Sequence, residues 1–211
     1  MRNLLIGMFA ICSMGCIQAQ DLSPIQLNSP TPKGGLTVME AFAQRQSTRS
    51  FTEKELSVQE LSDLLWAANG VNRPEKGMRT APSALNYQDI DIYVCLKEGA
   101  YLYNAKDNKL EPIIAEDLRG WVAGQQAFVK SAPVVLVLAS DLSKMRGGNT
   151  ESNRMIGAMD AGIVSENISI ACAGLGFVTV PRASMDKEKL SQKLQLKDSQ
   201  ILLLNHPVGK K

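Results

Sequence analysis

The sequence predicts an α+β fold, on three observations. Strand-like and helix-like segments are intermingled without a regular strand–helix–strand repeat, which argues against a doubly wound parallel sheet. The run "APVVLVLAS" at 132–140 is continuously apolar and of strand length, as a strand covered on both faces must be. The stretch from Glu151 to Leu175 carries Ile156, Met159, Ile163 and Ile170 among many small residues, a helix with little polar face that needs burial, often against a partner chain. At 211 residues, 45% hydrophobic and 21% charged, the chain is long and apolar enough for one domain with a substantial core. A formal charge of +2, with no long run of Lys and Arg, excludes a generic nucleic-acid binder.

The elements follow in order. "MRNLLIGMFAICSMGCIQAQ" has one cation, Arg2, an apolar stretch from Leu4 to Ile17 and a small-residue cleavage point after Ala19. Residues 1–19 therefore read as a secretory signal peptide, which predicts an exported, periplasmic protein. The alternative is a lipid-anchored envelope protein acylated at Cys16, although Ser13 stands where such signals carry an aliphatic residue. Residues 20–36, rich in Pro and Gly, read as an extended arm or linker, and 37–211 as the domain. Val38, Ala41, Phe42 and Arg45 lie at helical spacing. Ser57 and Glu60 form a capping box ahead of a second helix with the stripe Leu61, Leu64, Leu65 and Ala68, ended by Gly70. Asp89 to Leu96 alternates like a strand, and "GAYLYNAKDNKLEPI" is a hairpin turning at 106–108. "GFVTV" and "QILLLN" are strands, separated by the surface helix of "MDKEKLSQKL".

Cys95 and Cys172, one in a strand and one in a long helix, read as two separate buried thiols. With one histidine, His206, and no CxxC spacing, a zinc or haem site of Cys and His is not supported, and no metal is predicted. No Gly-x-Ser-x-Gly elbow, Gly-x-Gly-x-x-Gly turn or Walker loop is present, and no catalytic side chain is assigned. What remains is polar groups in ordinary places. Arg45, Ser47 and Arg49 alternate, so an extended backbone would aim two cations and a hydroxyl one way, toward an anion. The competing reading pairs the two arginines with Glu53 or Glu55. "RTAPSALNYQD" is a turn leading into a strand, "VPRAS" follows a strand, and "HPVGKK" ends the chain. Trp121 reads as core filling.

Taken in order, Arg-x-Ser-x-Arg, "APSALNYQ", "DAGIVSENISIACAGLG", "VTVPRA" and "NHPVG" resemble the nitroreductase-like FMN flavoproteins. "GAYLYNAKDNKLEPI" resembles the branch related to thiazole/oxazole-forming dehydrogenases. The resemblance runs from about Val38 to the end. It implies an α+β sandwich with a central, mostly antiparallel sheet, dimerising through long helices with FMN at each end of the interface. It also implies NAD(P)H as a possible electron donor and hydride transfer through flavin N5 to a small acceptor such as a nitroaromatic, a quinone or a heterocycle. By position, Arg45 and Ser47 take the phosphate end, Gln46 contacts through its backbone, and Arg49 sits near N1 and C2=O. Pro82, Ser83 and Asn86 come from the other subunit, and Pro181, Arg182 and Ala183 set backbone groups near N5. Lys210 or Lys211 completes the phosphate site.

Each implied role has a chemical reason. A phosphate monoester takes short charge-assisted hydrogen bonds from cations. A cation at N1 and C2=O favours the reduced ring, and the cofactor itself carries the hydride, so no catalytic His or Cys is required. The alternative function is an exported flavin- or small-ligand-binding protein without turnover.

Overall fold

The computed structural model describes residues 22–211. The signal peptide expected at 1–19, with Cys12 and Cys16, lies outside the described residues. In chain order the elements are β1 (Ile25–Gln26), α1 (Val38–Gln44), α2 (Val58–Asn69), β2 (Val71–Arg73), β3 (Met78–Arg79), β4 (Ile90–Cys95) and β5 (Ala100–Asn104). They continue with β6 (Lys109–Ile114), α3 (Arg119–Ala123), β7 (Val134–Asp141), α4 (Glu151–Leu175), β8 (Val178–Thr179), α5 (Lys187–Lys193) and β9 (Gln200–Gly209).

The local chemistry sets these boundaries. Ser57 Oγ accepts from the Glu60 N–H while the Glu60 carboxylate accepts from the Ser57 N–H, and Thr37 and Glu40 start α1 in the same way. Such reciprocal caps satisfy amides that no helical carbonyl can reach. Antiparallel pairing of β5 with β6 runs to Asn104 against Lys109, and the turn uses Asn108 at φ 49, a left-handed conformation that Asn tolerates.

Seven strands form one antiparallel sheet in the order β1-β6-β5-β4-β7-β9-β8. β7 lies between β4 and β9 with all its residues buried. Its alternation is hidden in the sequence because both faces are covered: Leu136 and Leu138 face the layer of α2 and α4, with Leu64, Leu65 and Ile168. Val135, Val137 and Ala139 face the other layer, with Val122 of α3 and Leu190 of α5. Cys95 belongs to this second core and Cys172 to the first, and neither is bridged. Burial pushes the Cys95 thiol up to about 12 and the Cys172 thiol up further still.

α4 inverts the usual polarity. Its buried face includes Gly157, Asp160, Ser165, Ser169 and Cys172, while Met155, Met159 and Ile163 are 60%, 61% and 37% exposed. The close approach that buries this face requires Gly157: a Cβ there would strike the Ser140 side chain of β7. On the same helix, Ser165 Oγ meets His206 Nε2 of β9 at 2.7 Å. The other ring nitrogen, Nδ1, lies 3.2 Å from Thr179 Oγ1 of β8, which itself donates to the Pro207 carbonyl. Thr179 can therefore only accept from Nδ1–H, which leaves Nε2 to accept from Ser165. A neutral, fully buried imidazole thus ties α4, β8 and β9 together, and burial pulls its pKa down to about 3.

Two elements depart from expectation. The segment expected as a free arm is extended but docked: β1 pairs with β6, Leu27 is buried, and the Asn28 N–H donates to Ser62 Oγ at 2.9 Å. β9 continues beyond "QILLLN" through His206 and Pro207 to Gly209, because β7 pairs along its whole length. Among the described residues, no helix is long and apolar enough to cross a membrane.

Two outcomes follow from this packing. Gly157→Ala should cost about 1–3 kcal/mol, the usual penalty for overfilling a close contact, read from urea denaturation. His206 is neutral when folded and has an ordinary pKa when unfolded, so its contribution is complete above about 6.5 and lost as the pH falls toward about 3. The stability gap between the wild type and His206→Gln should therefore narrow across that window in urea midpoints taken at successive pH values.

Candidate functional site

The site begins where α1 stops. Arg45 closes the helix with its N–H on the Ala41 carbonyl at 2.8 Å and then leaves in an extended conformation, ψ 123. Ser47 bridges Thr179, the Thr48 N–H donates to the Thr179 carbonyl at 2.9 Å, and the Thr52 N–H donates to the Lys210 carbonyl at 3.0 Å. Residues 45–52 are thus laid against the β8–β9 edge. This brings Arg45, Gln46, Ser47 and Arg49 to the same region as Pro181–Ala183 and the terminal lysines. Arg45 and Arg49 are exposed, and neither guanidinium has a hydrogen bond or ion pair among the described residues. The expected competitor, pairing with Glu53 or Glu55, does not form.

The terminal lysines separate. Lys210 Nζ is held by Glu60 Oε1 at 2.6 Å, so this ammonium is committed to α2, whereas Lys211 is exposed and unpaired among the described residues.

Arg182 differs from what its position implied. It is 7% exposed, and its backbone N–H is taken by the Asn205 carbonyl at 2.9 Å. Its side chain donates to Asn205 Oδ1 (2.6 Å), Gln126 Oε1 (3.0 Å) and the Val122 and Ala123 carbonyls (3.3 and 3.2 Å), and it lies over the Phe128 ring at 5.7 Å. A guanidinium with five fixed donors suits this work, capping the last carbonyls of α3. Of the three residues expected to offer backbone groups, Pro181 has no N–H and that of Arg182 is committed. Only Ala183 keeps an exposed N–H without a partner among the described residues. Trp121, expected as core filling, is 38% exposed on this side, and its carbonyl accepts from the Asp186 N–H at 3.0 Å.

Pro82, Ser83 and Asn86 are not brought to this cluster within one protomer. Their loop is fixed to the middle of α4, where the Ala84 N–H donates to both oxygens of Asp160, at 3.0 and 3.3 Å. The α1 end of the site meets α4 at Gly174, whose carbonyl accepts from the Leu36 N–H at 2.9 Å. Along a helix the two attachment points are about 21 Å apart. The loop is also strained: Leu85, Asn86 and Gln88 have φ of 47, 57 and 50, and Leu85 is 83% exposed. Inside the loop, the Gln88 N–H donates to Ser83 Oγ at 2.9 Å and Gln88 Nε2 to Asn86 Oδ1 at 3.2 Å.

Sequence reading passed over Asp160 and Asp89. Asp160 is 4% exposed, and Asp89 is fully buried with Oδ2 accepting from Ser140 Oγ at 2.5 Å and Oδ1 without a partner. Burial, and then Asp160 beside it, push the Asp89 carboxyl up to about 6. The available signal was spacing: Asp160 falls on the same helical face as Gly157, Ala161 and Val164. A cavity of about 340 Å³ lies elsewhere, under the arm between Ile25, Leu56, Leu96 and Pro133. Of the cations that line it, Arg119 is already bound to Asp117 at 2.7 Å.

Comparison with known proteins agrees with this fold. The Nitroreductase family model matches residues 42–210. A nitroreductase-family protein of Methanocaldococcus jannaschii is 28% identical over 92% of this chain and 96% of its own length. An FMN reductase [NAD(P)H] of Bacillus subtilis is 23% identical over 82% and 67% respectively. A nitroreductase-family crystal structure from Ralstonia eutropha superposes with a TM-score of 0.83 at 34% identity, covering 89% of both chains. A chain of the Escherichia coli microcin synthetase McbBCD complex shares the fold, with a TM-score of 0.70 at 14% identity over 99% of this chain and 85% of its own. With the family model spanning α1 to the last strand and the same antiparallel sheet in its relatives, this chain is a member of the nitroreductase family, an oxidoreductase by lineage.

Proposed function

We propose that the protein is an exported homodimeric enzyme that binds FMN between its subunits and passes hydride from NAD(P)H to a small oxidised acceptor such as a nitroaromatic, a quinone or a heterocycle. One observation carries this reading: two exposed guanidiniums, Arg45 and Arg49, flank Ser47 on a segment bound to the β8–β9 edge, and neither has a partner among the described residues. Together with Lys211 and the free Ala183 N–H, they form the donor set that a phosphate at one end and an electron-rich ring at the other would need. When bound, FMN supplies two-electron hydride chemistry at N5.

The chain's own contribution is binding and orientation. Arg45, Ser47 and Lys211 hold the phosphate, with the Gln46 backbone beside them. Arg49 stands at the pyrimidine edge, where negative charge is best compensated by a fixed cation. Lys210 acts at one remove, anchoring the chain terminus through Glu60. Arg182 keeps α3 and the 181–183 turn in place so that Ala183 presents its N–H. His206 and both thiols are locked in the cores and hold no proton at the site.

The second subunit completes the site. Met155, Met159 and Ile163 of α4 are exposed, as are Val38, Met39 and Phe42 of α1 at 63%, 76% and 53%. An apolar surface of this extent marks an interface. Antiparallel pairing of two α4 helices carries Pro82, Ser83 and Asn86 of one protomer toward Arg45 and Arg49 of the other, which answers their separation within one chain. Residues 1–19 act as the export signal.

Protein lacking residues 1–19 should retain flavin absorbance after incubation with FMN and desalting, and the colour should bleach when NADH or NADPH is added anaerobically. A folded, colourless protein would overturn the reading; bound flavin that dithionite bleaches but NAD(P)H does not would indicate binding without turnover. Arg45→Ala should weaken FMN by about 1.5–3 kcal/mol, the range for a hydrogen bond to a charged group, or roughly 10- to 150-fold in fluorescence titration. Met159→Glu should give a monomer by light scattering and lose FMN with it, because half of the site comes from the partner.

A further inference from the structure

We propose that Asp89 and Asp160 form a carboxyl pair holding a single proton between them, and that this pair locks the 82–88 loop in its strained conformation. As a positioning device for the flavin, the pair rests on the function proposed above; as a lock on the loop, it stands independently.

The geometry is specific. Asp89 enters β4 from the end of the loop, fully buried, with one oxygen on Ser140 Oγ and the other without a donor. Asp160 comes to the same seam from α4, and its carboxyl receives the Ala84 N–H. Ionised carboxylates only accept hydrogen bonds, so the unpartnered Asp89 oxygen can be satisfied by Asp160 only if one of the two carboxyls keeps its proton. Gly157, one turn before Asp160, makes the approach possible, since its Cβ position lies 3.6 Å from Asp89 Oδ2.

Among the described residues, no cation stands ready to replace the proton. Arg79 of β3 is committed to Gln88 Oε1 and the Asn69 carbonyl, and Asn69 of α2 donates to the Ile90 carbonyl. Lys144, after β7, holds Asp91 of β4 and the Gln88 carbonyl. Asp141 of β7 accepts from Ser143 and Ser199. Loss of the proton leaves two anions facing each other in a dry pocket. Separation of Asp160 from Asp89 relieves the repulsion and draws away the anchor of Ala84. The loop then keeps its internal bonds and those of Gln88 to Gly77, Arg79 and Lys144 against three left-handed residues.

The sign follows from the direction of the shift. The locked form binds the proton more tightly than an opened carboxyl does, so the lock is complete at low pH and weakens as the pH rises toward about 6. Asp89→Asn replaces the shared proton by a permanent amide donor: its Nδ2 donates to Asp160 and its Oδ1 accepts from Ser140.

Hydrogen–deuterium exchange of the peptide spanning 82–88, corrected for intrinsic rates, decides the matter in flavin-free protein. In the wild type the opening constant should rise roughly tenfold per pH unit between about 4 and 6 and then level off. Asp89→Asn should be protected and flat over the range, and Asp160→Ala unprotected throughout. A flat wild-type profile, or one shared with Asp89→Asn, would overturn the pair, whatever FMN does. FMN titration of the same proteins separates the two ideas. Affinity that follows the exchange profile links the lock to the cofactor. The expected exchange with no FMN binding in any variant retains the lock and removes the flavin reading.

Discussion

The distance between α4 and the sheet governs nearly everything at the site. Gly157 removes the side chain that would hold them apart, and the helix then lies close enough for Asp160 and Ser165 to reach groups on the sheet and its loops. Polar groups drawn into such a seam must be satisfied there, because an unpaired buried donor or acceptor is expensive. Those of α4 are: Asp160 by Ala84, Ser165 by His206, Ser169 by the Ser165 carbonyl, whereas Asp89 Oδ1 is left without a partner among the described residues. Met155, Met159 and Ile163 of α4 are turned outward while Ala161, Val164 and Ile168 stay in the core, so the exposed apolar face and the anchoring of the 82–88 loop arise from one packing decision. A helix set farther out would lose both.

The same seam keeps the two halves of the proposed site, the 45–52 segment and the 82–88 loop, at separate stretches of α4 within one chain. The 45–52 segment is set by backbone bonds to β8 and β9, and Arg182 fixes the turn beyond β8 through α3. Rigid secondary structure therefore supports each half, which holds a binding group more accurately than a free loop could.

What could be read from the sequence was local. Capping boxes, the Asn-containing hairpin turn and the double-sided burial of β7 all follow from interactions within a few residues, or from composition. Pro207 concealed the continuation of β9, because proline argues against an interior strand. The docking of 22–28 depends on β6 and Ser62, contacts remote in sequence. Arg182 illustrates the harder case: an arginine between two neighbours expected to offer backbone groups gives no sign that its own N–H and guanidinium are consumed by Asn205 and α3. The alternation of Arg45, Ser47 and Arg49 was legible because it needs only an extended chain. The choice between Lys210 and Lys211 was not, because it turns on a glutamate some 150 residues away that had already been assigned a capping role.

The two thiols have a consequence of their own. Cys95 and Cys172 sit in cores on opposite faces of the sheet, and burial keeps both protonated far above neutral pH. A thiol that is neither ionised nor reachable does not take part in exchange. The free energy of folding of the described domain thus contains no oxidation term. It needs no oxidant to mature and no reductant to survive, and its stability is the same in a compartment poised for disulfides as in one that forbids them.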